Sequence, residues 1–241
     1  MKNFKITLAL LAIALGLAMP TEAKEKVKYS VSTDLVSSYV WRGFVQGTTH
    51  GGTPNIQPTA NMSYKKLTIG AWGSGSFDGE IKEVDLYATY ALSDIFSITA
   101  TDYNYTFSTS YFDYSKETTN HIVEGSLNYA GVKKFPLSVS VNTMLYGADK
   151  DIKGDNAFST YIELTYPISE NTKLFLGGLY LSDEGTSNGY AFDKKGFNIC
   201  NAGIKISKEI KFSDSFNLPL YGILGTNPAT ENAYFVVEVT F

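Results

Sequence analysis

The chain has 241 residues, a net charge of −4 and a single cysteine. One cysteine cannot form an internal disulfide, so a disulfide-stapled secreted mini-protein is excluded. The acidic balance argues against a nucleic-acid partner, because nucleic-acid-binding proteins usually carry a basic face. Aromatic residues make up 14% of the chain, which argues against wholesale disorder. The length allows one barrel-sized domain or two small ones.

The first 23 residues have the pattern of a secretory signal peptide. Lys2 and Lys5 precede a mostly apolar, uncharged stretch of 14 residues from Ile6 to Met19, and Pro20 then breaks it. Small residues surround a predicted cleavage point after Ala23. The stretch is too short for a spanning helix, which needs about 20 apolar residues. We therefore predict removal of residues 1–23 and one exported domain over 24–241.

The rest of the chain alternates apolar and polar side chains with period two, which predicts β-strands. In the last segment Phe235, Val237 and Val239 share one face, whereas Tyr234 and Glu238 lie on the other. Twelve such strands are predicted near 27–42, 56–64, 67–75, 82–91, 96–106, 120–129, 137–146, 158–167, 173–181, 197–207, 216–225 and 232–241. Eight or ten strands with longer loops are the alternatives. The facing is ambiguous for the segments near 67–75, 96–106, 173–181 and 197–207.

The connections alternate between short and long. The short ones lie at 65–66, 92–95, 130–136, 169–172 and 208–215, and the long ones at 43–55, 76–81, 107–119, 147–157, 182–196 and 226–231. This asymmetry is typical of bacterial outer-membrane proteins, and an even strand number puts both termini on the short-turn side. The predicted fold class is therefore all-β, a transmembrane antiparallel up-and-down β-barrel. A soluble β-sandwich or lipocalin-like barrel would also alternate, but it would usually carry more Lys and Glu on its polar face.

Aromatic residues lie near the ends of the predicted strands. Rings at both membrane–water interfaces are expected of a barrel that spans lipid. The residues predicted to form the two belts are Tyr29, Tyr64, Tyr90, Tyr129, Tyr166 and Phe241 on the short-turn side, and Tyr39, Trp41 and Trp72 toward the long loops.

Two segments carry a family resemblance. The stretch Val36-Ser37-Ser38-Tyr39-Val40-Trp41-Arg42-Gly43 resembles the opening of the TorF family of porins, where a similar Ser-x-Tyr-x-x-Arg-Gly sequence leaves the first strand. The ending on Phe241 resembles the assembly signal of outer-membrane barrels generally. The resemblance covers the first and last strands, and Phe44 to Gly47 depart from it. It implies an outer-membrane location and a barrel, and it does not extend to a substrate.

The face opposite the apolar one predicts the lining of the lumen. Its charged residues are Asp34, Arg42, Glu83, Asp85, Glu124, Glu163 and Glu238. Six carboxylates against one arginine, with Lys205 as a candidate second base, favour cations in a narrow channel. The alternative is a charge network that fills the lumen, because twelve strands lie between filled and open barrels. For Arg42 we favour anchoring of the loop that follows over contact with a solute, since buried charges are usually paired.

The sequence predicts a porin-like channel for passive diffusion of small solutes, not an enzyme. The alternatives are a closed structural or surface-binding barrel, an outer-membrane lipid-modifying enzyme and a soluble exported β-protein. The enzyme is disfavoured because His121 lacks the serine two residues later that lipid hydrolases of this kind carry. No cofactor and no metal site is expected. The expected partners are outer-membrane lipid and lipopolysaccharide, the barrel-assembly machinery through the C-terminal strand, and small solutes.

Overall fold

Period-two alternation places one set of side chains of each strand on either side of a single closed sheet. The computed structural model describes residues 26–47, 52–105, 110–182, 190, 192, 194–214 and 216–241, and the predicted signal peptide lies outside them. Twelve antiparallel strands form the barrel, each paired with its neighbours along the chain. The prediction of an all-β, twelve-stranded, up-and-down barrel is confirmed. No helix among the described residues is long and apolar enough to cross a membrane.

The described residues form fourteen strands, because a small hairpin accompanies the barrel. The hairpin strands are β2 (Val40–Trp41) and β3 (Phe44–Val45). The barrel strands are β1 (Lys28–Val36), β4 (Asn55–Tyr64), β5 (Leu67–Ser76), β6 (Lys82–Ala91), β7 (Phe96–Asn104), β8 (His121–Tyr129), β9 (Ser138–Gly147), β10 (Thr160–Ser169), β11 (Thr172–Leu181), β12 (Gly196–Lys211), β13 (Asn217–Asn227) and β14 (Asn232–Thr240).

The first and last strands close the barrel. Asp34 in β1 lies opposite Thr240 in β14, and the backbones of Thr33 and Phe241 exchange two hydrogen bonds of 3.1 and 2.9 Å. The closure matters because a sheet without edges leaves no row of unpaired backbone amides and carbonyls. Phe241 therefore takes part in the seam through its backbone while its side chain stays exposed.

The outer surface of the barrel is apolar along most of its circumference. Large apolar side chains remain solvent-exposed on nearly every strand, among them Val31 (80%), Leu127, Leu176 and Phe235. A soluble monomer rarely exposes apolar surface in so continuous a belt. The sheet is therefore inverted relative to a soluble barrel, with its apolar face outside.

Most of the predicted interface aromatics face outward near the short turns. Tyr29, Tyr90, Tyr166 and Phe241 are exposed. Tyr64 and Tyr90 both pair with Leu67, so the two tyrosines lie on the same face of the sheet. The Tyr129 ring centroid lies 5.1 Å from that of the exposed Phe96. That these rings sit among lipid headgroups stays a prediction.

The prediction for Tyr39, Trp41 and Trp72 is wrong, because all three side chains lie inside the barrel. Tyr39 is buried and its ring contacts that of Trp72 at 5.5 Å. Trp72 lies directly opposite Asp85, which is also buried, and opposed residues of neighbouring strands share a face. Trp41 packs against the interior cluster of buried side chains. Exposed aromatics on the outside near the long loops are instead Tyr180, Phe197 and Phe235.

The reason for the error at Tyr39 and Trp41 is the path of the chain after the first strand, whereas Trp72 lies in the segment 67–75, whose facing was ambiguous from the sequence. The prediction extended that strand from 27 to 42, but β1 ends at Val36. The Ser37 amide still donates to the Val237 carbonyl in β14, and the residues after Ser37 leave the wall and form the β2–β3 hairpin over 40–45. The other strands lie within a few residues of their predicted positions; the largest extension is β12, which continues to Lys211.

Candidate functional site in the barrel lumen

The β2–β3 hairpin folds into the lumen at the end that carries the long loops. Val40 pairs with Val45 and Trp41 with Phe44, so Arg42 and Gly43 form a two-residue turn. Their φ angles are 54° and 86°, and a hairpin turn with positive φ at both central residues matches the twist of its strands. Gly43 suits this turn because it adopts positive φ without steric cost.

The tip of the hairpin contacts the wall at β12 and β13. The Asn227 side-chain amide donates to the Gly43 carbonyl at 3.3 Å, and the Cys200 thiol donates to the Arg42 carbonyl at 3.6 Å. A Cβ atom at Gly43 would lie 1.9 Å from the carbonyl oxygen of Cys200. The hairpin therefore fits against this wall only with glycine in that position.

The side chain of Arg42 reaches a different part of the wall. Its Nη1 and Nη2 donate to the two carboxylate oxygens of Glu124 in β8 at 2.6 and 2.7 Å. Nη1 also donates to the Tyr190 hydroxyl at 2.6 Å. The Cζ atom of the guanidinium lies 4.6 Å from the centroid of the Trp41 ring and 4.8 Å from that of the Tyr161 ring. Two parallel hydrogen bonds to one carboxylate are among the strongest side-chain contacts. This geometry is the anchor that the sequence predicted for Arg42.

The pair is almost completely shielded from water. The Arg42 and Glu124 side chains are 10% and 1% exposed. Glu124 accepts a further hydrogen bond from the Tyr103 hydroxyl at 3.0 Å. Because β8 is five strands away from β1 around the ring, the pair joins a segment leaving one side of the barrel to a distant part of the wall.

Apolar and aromatic side chains pack around the hairpin and fill the loop-side half of the lumen. The Trp41 and Tyr190 rings stack at 4.7 Å, and Phe44 contacts both Tyr190 and Phe192. The buried residues of this cluster are Phe44, Ile122, Met144, Tyr161, Leu179, Leu181, Tyr190, Phe192 and Cys200. The interior at this end is therefore packed like a protein core.

Two of the predicted lumen acids lie buried beside this packing. Glu83 and Asp85 in β6 are 2% and 4% exposed. Asp85 accepts a hydrogen bond from the backbone amide of Asn104 at 3.2 Å. Both carboxylate oxygens of Glu83 lack a hydrogen-bond partner among the described residues. A buried carboxylate without a hydrogen-bond partner is costly.

The half of the lumen toward the short turns is open and polar. One cavity of about 330 Å³ lies under the hairpin, and a second of about 440 Å³ lies closer to the short turns. Glu163 and Thr165 line both, so the two cavities adjoin, and together they are called here the lower chamber. Its other polar lining includes Gln57, Asp94, Ser97, Asn128, Ser140, Lys173, Asn201, Lys205, Tyr234 and Glu238.

The remaining predicted lumen acids have partners in or next to this chamber. Asp34 accepts a hydrogen bond from the Thr240 hydroxyl at 2.6 Å. Glu163 accepts from the Tyr161 hydroxyl at 2.5 Å and from the Asn201 amide at 3.2 Å. Glu238 pairs with Lys205 at 3.3 Å. All seven predicted charged residues thus point inside, while their role in selectivity stays a prediction.

The sequence reasoning missed Lys173 and the aromatic partners of Arg42. Lys173 lines the cavity under the hairpin together with Phe175, two residues further on. The period-two spacing of Lys173 and Phe175 in β11 indicates that the two side chains share a face, but which face points inward was ambiguous from the sequence. Tyr190 lies in a long connection, where no periodicity marks a side chain as interior.

His121 is a buried packing residue at the start of β8. Its Nδ1 lies 2.8 Å from the Asp102 carboxylate and its Nε2 lies 2.6 Å from the Tyr111 carbonyl oxygen. The ring of Tyr114 stacks on it at 4.2 Å, and the Tyr114 hydroxyl donates to Asp102 at 2.6 Å. The histidine thereby holds residues 110–120 against the wall, with both ring nitrogens engaged.

Comparison with known proteins supports the architecture of this barrel. The chain has a fold similar to that of the KdgM porin, with a TM-score of 0.50 and 12% identity over 88% of this chain and 97% of that chain. The translocator domain of the autotransporter NalP from Neisseria meningitidis has a TM-score of 0.32 and 11% identity, covering 99% and 94%. The closed twelve-stranded sheet and its similarity to the KdgM porin define the fold class as a porin-like closed β-barrel. No family model and no curated protein matches the sequence, so the resemblance to the TorF family stays a prediction.

Replacing Gly43 by alanine should dislodge the hairpin. The clash with the Cys200 carbonyl adds about 1–3 kcal/mol to the roughly 1–2 kcal/mol that a left-handed alanine costs. Gly154→Ala is the matched control, because its φ is 82° but no described atom lies within 4 Å of its Cβ position. Urea unfolding of the refolded chains should show a clearly larger loss of unfolding free energy for Gly43→Ala than for Gly154→Ala. Equal losses would contradict the close fit of the turn.

Removing one partner of the Arg42–Glu124 pair should cost more than removing both. Arg42→Met leaves the Glu124 carboxylate buried without its cation, which costs about 3–5 kcal/mol for a pair of this kind. Glu124→Gln introduced into the Arg42→Met chain should restore part of that loss. A double-mutant cycle by urea unfolding measures the coupling. Additive losses in the cycle would show that the two side chains are not energetically linked.

Proposed function

We propose that this protein is an outer-membrane, porin-like channel for small solutes, in which the infolded hairpin sets the narrowest point. The observation that carries the proposal is the inverted barrel: an apolar belt outside, and a polar chamber inside that ends at the hairpin. Strands can cross lipid only as a closed barrel, because lipid offers no hydrogen-bond partners to a sheet edge.

The outward face supports the membrane location. The exposed rings of Tyr29, Tyr90 and Tyr166 lie near the short turns, whereas those of Tyr180 and Phe197 lie toward the long loops. Two such levels separated by aliphatic side chains match the aromatic girdles of outer-membrane barrels. Lipid and lipopolysaccharide are the proposed surroundings of this belt.

The N-terminal segment and the C-terminal strand are consistent with this route to the membrane. Residues 1–23 are proposed to direct export and to be removed. We propose that the barrel-assembly machinery recognises the exposed Phe241 side chain at the seam. Its backbone bonds to Thr33 form when the barrel closes, so recognition of this residue before closure would be compatible with the fold.

A weak cation preference is proposed from the charges of the interior. Among the described residues, the six predicted lumen carboxylates and Asp94 face three cationic side chains, since Lys173 and Lys205 join Arg42 inside. In and beside the lower chamber the excess is smaller, because Asp34, Asp94, Glu163 and Glu238 face the two lysines. Rings of acids attract cations, but paired acids contribute less than free ones.

The second candidate is a closed structural or surface-binding barrel without conductance. It is favoured by the packed loop-side half, where Met144, Leu179 and Tyr190 are fully buried. Exposed apolar side chains in the long connections, such as Phe77, Phe112 and Ile152, would then serve contacts outside the membrane. Conductance separates the two candidates.

Single-channel recording in a planar bilayer tests the proposal. We expect small conductance steps from the refolded chain, and larger steps from the Arg42→Met/Glu124→Gln variant, because the hairpin loses its anchor. Lys208→Met is the control, since Lys208 shares the outer face of β12 with the exposed Ile206. Heat-modifiable gel migration confirms folding of each chain. If no folded chain conducts, the channel proposal is wrong and the closed barrel without conductance remains as the proposed function.

The same recordings in a salt gradient test the cation preference. Glu163→Gln should move the reversal potential toward zero, because it removes a carboxylate from the wall of the lower chamber. Lys208→Met should leave the potential unchanged. An unaltered potential in Glu163→Gln would exclude this residue from selectivity.

A further inference from the structure

Two lysines face each other across neighbouring strands inside the barrel. Lys173 in β11 and Lys205 in β12 are directly opposed in the register, and both line the cavity of about 330 Å³ under the hairpin. Directly opposed residues have Cβ atoms about 5 Å apart, and like charges in such a pair destabilise a sheet. An arrangement that costs stability points to a purpose other than folding.

Among the residues that the structure describes, carboxylates neutralise only one of the two ammonium groups. Lys205 lies 3.3 Å from a Glu238 carboxylate oxygen, and its Nζ sits 4.3 Å from the centre of the Tyr221 ring. Lys173 is exposed to the chamber and has no hydrogen bond or ion pair with any of the described residues. Glu163 lines the same cavity, but it accepts hydrogen bonds from Tyr161 and Asn201.

The surroundings of the two lysines suit an oxyanion. The cavity is bounded on the loop side by the hairpin, where Arg42 is occupied by Glu124. Among the described residues, Lys173 is therefore the uncommitted cationic donor of this cavity, and Lys205, paired with Glu238, lies beside it. Hydroxyl and amide groups of Thr165, Asn201 and Tyr234 share the lining. Lysine binds phosphate and carboxylate groups as a compact charge with three donors.

We propose that Lys173 and Lys205 form a binding site for a small oxyanion, a phosphate or carboxylate group, in the lower chamber. The anion neutralises the charge of Lys173 and relieves the repulsion between the lysines. This site goes beyond the channel function, because binding from the short-turn side needs no passage past the hairpin. The acidic lumen would then contain one basic, anion-binding site among the carboxylates of its wall.

Inorganic phosphate is the probe for this site. The full refolded chain in detergent is titrated with phosphate in buffer free of other oxyanions, with binding followed by calorimetry and by phosphorus NMR line width. Lys173→Met should weaken phosphate binding at least about tenfold, because it removes a charge-assisted contact to the anion. Lys208→Met removes the same charge from the outer face and should bind as the unmodified chain does.

Stability distinguishes a binding role from a structural one. Lys173→Met should raise the urea midpoint or leave it unchanged, because it removes a like-charge pair. Weaker phosphate binding in a chain that is no less stable supports the site. Equal phosphate binding by the unmodified chain and Lys173→Met, or no saturable binding by either, would overturn it.

Acetate identifies the class of anion. Displacement of phosphate by acetate assigns the site to carboxylates as well, and failure of acetate to displace it assigns the site to phosphate groups. Both results concern binding in detergent. They are therefore independent of the bilayer recordings, and a silent bilayer would not alter them.

Discussion

The bidentate ion pair between Arg42 and Glu124 is the contact on which the interior depends. Burying a charge is costly unless it is paired and hydrogen-bonded, and both conditions are met here by Glu124, Tyr190 and Tyr103. The pair holds a hairpin that leaves one side of the barrel against a strand far around the ring. The aromatic packing of Trp41 and Phe44 against Tyr190 follows from that position.

The anchored hairpin divides the lumen into two parts with different chemistry. The loop-side part is a core of aromatic and aliphatic side chains, whereas the short-turn part is a water-accessible chamber with acids and lysines. This division explains how a barrel of twelve strands, intermediate between filled and open ones, combines both properties. In the proposed channel, the hairpin controls solute access from the long loops, and solutes reach the lower chamber from the opposite side.

The barrel could be predicted from the sequence because strand facing follows directly from alternation. Phe235 and Val237 face outward as their spacing indicates, and the lumen acids face inward. The hairpin could not be predicted, since residues 36–41 alternate equally well in a wall strand or in a hairpin. Its turn begins with arginine rather than the usual Asn, Asp or Gly, so Gly43 alone did not reveal it. The contact of Arg42 with Glu124 spans 82 residues, a separation that no local pattern encodes.

Tryptophan fluorescence in brominated lipid tests most directly whether the hairpin lies inside a lipid-facing barrel. The chain contains two tryptophans, Trp41 and Trp72, and the structure puts both inside. Refolded into vesicles of brominated lipid, the chain should keep nearly all its fluorescence, because the wall separates the rings from bromine. Leu176→Trp, on the outer face, should add a signal that brominated lipid quenches, confirming insertion. Strong quenching of the unmodified chain would contradict the infolded hairpin.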